Sequence, residues 1–217
     1  MNRRFESHLF WGFHSPLSAL SGAGLLIMAS TRFSSALVCS GALIWVFGLS
    51  ALVFTGARPI MPARGKRVIL LFLSAFLCGI FMFLVGLLNP LLILGTGFFL
   101  VLVPPFCLGS GFFEACEQAP PDEVFARALL EAIVLAGLIL AFALIREPLG
   151  MGTLSFPGGI QGIVEIFDSG DRNSFIPIRF LSASAGGLVL LGYGIALFRY
   201  FRERNGHVSQ NDVREGD

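Results

Sequence analysis

The sequence predicts an all-α membrane protein: six transmembrane helices in two inverted three-helix repeats, with broken first and fourth helices. Three observations lead there. Charged residues make up 13% of the 217 and hydrophobic ones 55%, where a soluble domain carries roughly 25% charged residues. Six apolar runs each approach the roughly 20 residues that a spanning helix needs. Two of these runs, at matching places in the two halves, are interrupted by Pro and Gly. Irregular backbone at membrane depth survives only inside protein or beside a cavity, and matched interruptions point to an inverted repeat, the alternative being small residues that merely let helices pack closely. One bundle, residues 1–199, takes almost the whole length, with repeat one at about 9–89 and repeat two at about 90–199. A polar tail, 200–217, follows.

Taken in order, the first span covers 9–29 and is irregular, with His14-Ser15-Pro16 followed by Ser18, Ser21, Gly22 and Gly24. It begins after Arg3-Arg4 and lacks a small-residue cleavage site, which predicts a retained helix rather than a cleaved signal peptide. The second and third spans cover 33–55 and 67–89, joined by a basic connection with Pro59 and Pro62. Asn89-Pro90 makes a tight turn, because proline restricts the residue before it. The fourth span, 90–110, carries Gly95, Gly97, Pro104-Pro105 and Gly109, so its break is expected over 103–114. An acidic connection with Pro120-Pro121 leads to the fifth span, 123–145. The Gly- and Pro-rich stretch 146–178 is expected to be a connection with a short surface helix near Ile160–Phe167. The sixth span covers 179–199.

Lys and Arg near span ends set orientation. With the N-terminus inside, inner segments hold Arg3, Arg4, Arg58, Arg64, Lys66, Arg67, Arg127, Arg199, Arg202, Arg204 and Arg214, which is 11 of the 15 basic residues. The outer side keeps Arg32, Arg146, Arg172 and Arg179. The asymmetry predicts a multi-pass protein of the inner (cytoplasmic) membrane with both termini cytoplasmic. The net charge of +1 and the absence of basic clusters with interleaved aromatics set nucleic-acid binding aside. None of Cys39, Cys78, Cys107 and Cys116 forms a CxxC pair, so zinc-ribbon and thioredoxin-like sites lack support. The glycines at 150–159 follow a helix rather than a strand, which excludes a dinucleotide-binding fingerprint.

Three short runs carry more information. Cys107-Leu-Gly-Ser-Gly111-Phe-Phe-Glu114-Ala115 resembles the Cys-x-x-x-Gly-x-x-Glu-Ala run of the small integral subunits of Rnf and Na⁺-translocating NADH:quinone oxidoreductase (Nqr) complexes. Arg146-Glu147-Pro148-Leu149-Gly150-Met151-Gly152-Thr153-Leu154 resembles their Arg-Glu-x-x-Gly-x-Gly-x-Leu motif. Ser30-Thr31-Arg32, followed by Phe33-Ser34-Ser35-Ala36, resembles the end of their first broken helix. The order of spans is similar over nearly the full chain, and cytoplasmic termini are more like the RnfE/NqrD type than its inverted sister, RnfA/NqrE.

The resemblance implies an integral subunit of an ion-translocating electron-transport complex. It would work with a sister six-span subunit and other membrane redox subunits. In that family two sisters share an intramembrane [2Fe-2S] cluster, each giving two cysteines. By the same resemblance Cys107 is the metal-binding ligand of this chain, and the first-half ligand position is occupied by Gly24. Phe106 stands where the family has Asn. The alternative is a divergent paralogue without a cluster, acting as a structural subunit or a small ion or solute transporter.

Other residues have plainer readings. Cys39 and Cys78 read as packing residues, since a free Cys behaves as a small hydrophobe. Cys116 reads as a reduced thiol in a cytoplasmic loop. Glu131 lies one helical turn from Arg127, either as an i,i+4 ion pair or as a carboxylate on a cation path. Arg146-Glu147 is expected to fix the loop that follows it. His8 and His14, either side of Trp11, read as interfacial anchors.

Overall fold

In a computed structural model the protein is described over residues 24–59, 65–110, 113, 120–158, 162–168, 179–194, 196–197 and 200. Several expectations lie outside these residues: the first span over 9–23, His8, Trp11 and His14, Gly111, Glu114 and Ala115, Cys116, and the tail beyond 200.

The described fold is mostly helical. Helix α1 is described over 24–29 and stops in a turn at 30–32. Helix α2 (Phe33–Ala57), α3 (Lys66–Leu88), α4 (Pro90–Leu100), α5 (Val103–Gly109) and α6 (Pro121–Met151) follow. Among the described residues four stretches are long and apolar enough to cross a membrane: α2, α3, Pro90–Gly109 (α4 with α5) and Glu123–Met151 within α6. Beyond them come a short helix α7 (Arg179–Ser182) and an apolar helix α8 (Ser184–Gly194).

Helix α2 is the centre of the bundle. It packs most extensively on α6 and also meets α3, α4 and α5. Its apolar residues point in every direction: Ala36, Ala42, Leu43, Val46, Phe47 and Ala51 are fully buried against the other helices, while Leu37, Ile44, Leu52 and Val53 are exposed among the described residues. On α6 the buried residues Val124, Ala128, Ala132, Ala136, Ile139 and Ala143 recur every three to four positions. Alanine there lets α2 and α6 approach closely, the usual solution where lipid removes the hydrophobic drive between helices. By contrast α3 turns Phe72, Phe76, Phe83 and Leu87 outward, which suits contact with acyl chains. The Asn89-Pro90 turn behaves as expected: the Asn89 side chain caps α4 by accepting from the Leu92 amide at 3.0 Å.

The structure corrects the sequence reading at three places. The chain is not all-α. Residues 153–168 hold an antiparallel hairpin, β1 (Thr153–Gly158) paired with β2 (Gly162–Asp168), where a short surface helix was expected. Ile163, Val164, Ile166 and Phe167 are β-branched or aromatic residues that favour a pleated strand. The fifth helix runs on to Met151 instead of ending at 145, because Arg146 and Glu147 find buried partners within the fold. The fourth span is interrupted at 101–102, and 103–109, where the break was expected to begin, is helical; of 111–114 only Phe113 is among the described residues. Val101 and Leu102 keep right-handed helical dihedrals, and Pro104 and Pro105 fall in the first turn of α5, where a missing amide costs least. Cys107 therefore sits on a helical turn.

Candidate functional site

The largest fully buried side chain in the bundle is Arg146, and Glu147 beside it is equally enclosed, each about 1% exposed. They do not bond to each other. Arg146 turns toward the carbonyl ends of two interrupted helices. Its Nε donates to Leu181 O at 2.8 Å, and its Nη2 to Ser182 O at 3.1 Å and Ala183 O at 3.0 Å. Its Nη1 donates to Ile27 O and to Ser30 Oγ, the latter at 3.1 Å. A guanidinium has five N–H groups, and all five are used. Glu147 turns the other way. Its Oε2 accepts from the Phe33 amide at 2.6 Å and its Oε1 from the Ser155 amide at 2.9 Å.

This pair holds the junction of α1 and α2 from both sides. A helix carries partial negative charge at its C-terminus and partial positive charge at its N-terminus. The cation therefore belongs at the end of α1 and the anion at the start of α2, which is how the two are placed. Other groups complete the turn. The last four carbonyls of α1 would lack partners in a bare helix end, but each has one here. Leu26 O accepts from the Ser30 amide at 3.1 Å, and Ile27 O takes Arg146. Met28 O accepts from Thr31 Oγ1 at 3.1 Å, and Ala29 O from Ser35 Oγ at 2.9 Å. The Ser-Thr-Arg-Phe-Ser-Ser run is thus a set of short donors spaced to replace missing helix bonds.

The hairpin joins the same centre. Its register slips between Leu154 and Ser155, and such a bulge re-aims a side chain. Ser155 points inward, fully buried, with Oγ 3.2 Å from Ser34 Oγ and accepting from the Ser34 amide at 3.4 Å. Phe156 packs against Phe33 with the rings tilted, 4.9 Å between ring centres. Small residues make the convergence of backbones possible. A Cβ on Gly150 would lie 2.9 Å from the Ser182 amide nitrogen, and one on Gly187 would lie 3.1 Å from Arg146 Cζ. Gly152 ends α6 in a left-handed conformation, φ 71°, and donates its amide to Pro148 O at 2.9 Å.

Two of the three runs singled out in the sequence therefore meet, across 114 to 121 residues of chain. The expectation that Arg146-Glu147 fixes the following loop holds for Glu147 and Ser155. The reach back to Ile27 and Phe33, and across to 181–183, was not visible, because the partners are mostly backbone groups.

The third run is only partly described. Cys107 is fully buried within the core, beside Phe106, whose ring lies 6.2 Å from that of Phe47. Gly24 has no atom within 4 Å of where a Cβ would stand, so among the described residues nothing closes around that position. Cys39 and Cys78 are buried in the same core. Cys78 donates its thiol hydrogen to Leu100 O at 3.3 Å. A [2Fe-2S] cluster takes four protein ligands, commonly thiolates. Among the described residues no three His, Cys, Asp or Glu side chains come together as a metal-holding group. They do not form a cluster site by themselves, and Cys107 is at most one ligand of a set completed from elsewhere.

Arg127 pairs with Glu123, at 2.5 Å, rather than with Glu131. Glu131, half-buried on α6, has no hydrogen-bonding or ionic partner among the described residues. Compared with known protein families and with curated proteins, the chain matches none.

Proposed function

We propose that this chain is an integral membrane subunit of an ion-translocating electron-transport complex of the Rnf/Nqr type, built of six spans in two inverted repeats with cytoplasmic termini. It works packed against a sister six-span subunit and next to other redox subunits. The observation that carries this reading is the buried meeting of the Ser30–Ala36 run with the Arg146–Leu154 run. Both runs resemble the same family, and a shared centre gives each a reason to keep its residue types. On this reading the Arg146-Glu147 pair is a fixed scaffold that holds interrupted helices in the membrane. The test uses sealed vesicles from cells with and without the gene. Donor-driven uptake of Na⁺ or H⁺ is expected to be lost on deletion and restored by the wild-type chain. Uptake unchanged by deletion defeats the reading.

Whether the chain also contributes to an electron relay turns on Cys107. Such a cluster, when held, supplies one-electron transfer. Cys107 favours a contribution through its buried place in the Cys-Leu-Gly-Ser-Gly run; Gly24 favours a paralogue without a cluster. Iron content and the EPR signal of the reduced complex decide between them. A signal lost in Cys107→Ser supports the ligand role. An iron-free complex, or a signal indifferent to Cys107→Ser, supports the cluster-free subunit.

A further inference from the structure

The environment of Arg146 is unusual in one respect: among the described residues the buried guanidinium has no anionic partner. Its partners are four backbone carbonyls (Ile27, Leu181, Ser182, Ala183) and one hydroxyl (Ser30). The neighbouring carboxylate is spent on the amides of Phe33 and Ser155. Carbonyl oxygens at the C-terminal ends of helices are one means by which membrane proteins coordinate a small cation. The carbonyl end of α1 adds to the attraction. Gly187 leaves room for the guanidinium, since a Cβ there would press on both Arg146 Cζ and Ile27 Cγ2 at 3.1 Å.

We propose that these five oxygens form a cation-binding site, filled in the native chain by its own guanidinium as a tethered ion. The site selects for charge as well as for shape, and it is closed to any transported ion while Arg146 is present. The rival explanation is that Arg146 merely fills a polar hole with hydrogen-bond donors. Urea separates the two, because it is planar and donates as guanidinium does but carries no charge.

The experiment measures thermal unfolding of the full chain in lipid nanodiscs, with guanidinium, urea, Na⁺ or K⁺ added at low millimolar concentrations. Arg146→Gly is expected to lower Tm by several degrees, and guanidinium to restore it saturably, alkali cations less so and urea not at all. The wild-type Tm is expected to ignore all four. Recovery by urea equal to that by guanidinium, no recovery in a folded Arg146→Gly chain, or a wild-type Tm raised by any of the cations overturns the proposal. Should Arg146→Gly not fold, Arg146→Lys and Arg146→Gln decide. A higher Tm for Lys, which keeps the charge with fewer donors, supports it; Gln equal to or above Lys overturns it.

Discussion

Cys78 on α3 donates its thiol hydrogen to the carbonyl of Leu100 on α4, at 3.3 Å. The position is telling, because the residue four places after Leu100 is Pro104, which has no amide to give. The thiol thus supplies the bond that proline withholds, at the end of α4 where the fourth span is interrupted.

Replacing Cys78 with Ala is predicted to destabilise the bundle by about 0.5–1.5 kcal/mol, the usual net worth of one buried hydrogen bond. In a Pro104→Ala background, where a backbone amide can return, the same change is predicted to cost distinctly less. Unfolding free energies for the four proteins of this cycle check the coupling. Equal costs in both backgrounds mean the thiol acts by packing alone.

Glu147 anchors two backbone amides from different elements, so its loss is predicted to act in two places. Glu147→Gln keeps the shape but turns one acceptor oxygen into a donor, leaving either the Phe33 or the Ser155 amide unbonded. A cost of about 1–3 kcal/mol is expected for such an orphaned buried group. Proteolysis within 153–168 is predicted to speed up at the same time, because an isolated two-stranded hairpin is marginal without its anchor. Unchanged cleavage in a destabilised Glu147→Gln chain separates the hairpin from this residue.

Glycines divide into two groups by what surrounds them. Alanine at Gly150 or Gly187 is predicted to destabilise by about 1–3 kcal/mol through overpacking against the α7–α8 turn and Arg146. Alanine at Gly24 or Gly137, where a Cβ would meet nothing within 4 Å among the described residues, is predicted to be neutral or to stabilise by up to about 1 kcal/mol. Thermal melts of the four variants check the ranking, and a harmful Gly137→Ala contradicts it.

Orientation yields a labelling prediction. Arg32, in the turn before α2, is exposed, and so is Arg58 at its far end. In a chain lacking Cys116, Arg32→Cys is predicted to react with an impermeant thiol reagent added outside intact cells, and Arg58→Cys only after permeabilisation. The three remaining cysteines are buried and serve as an unreactive background. The opposite pattern inverts the topology.

Much of the helical frame was legible because it depends on runs of apolar residues. The expected 33–55, 67–89 and 90–110 match Phe33–Ala57, Lys66–Leu88 and Pro90–Gly109 to within two residues. The fifth helix was read too short because Arg and Glu usually mark a membrane boundary, while here each finds buried backbone partners. The hairpin was hidden by its own composition: Pro157 and the surrounding glycines read as a loop, and what steadies the strands is a tertiary contact through Ser155. The Cys78–Leu100 bond had a faint signal, since Pro104 announces a carbonyl without a donor, but the identity of the donor on another helix did not follow from it. Arg146 and Glu147 were noticed as a motif, yet the five oxygens that receive the guanidinium include four backbone carbonyls, which leave no trace in residue identity.

The most direct test of the functional reading is to purify this chain by a tag from its native membrane in mild detergent and identify what comes with it. The account predicts a second six-span subunit in equal amount, together with flavin- and iron–sulfur-bearing proteins. A chain recovered alone, or only with copies of itself, contradicts it.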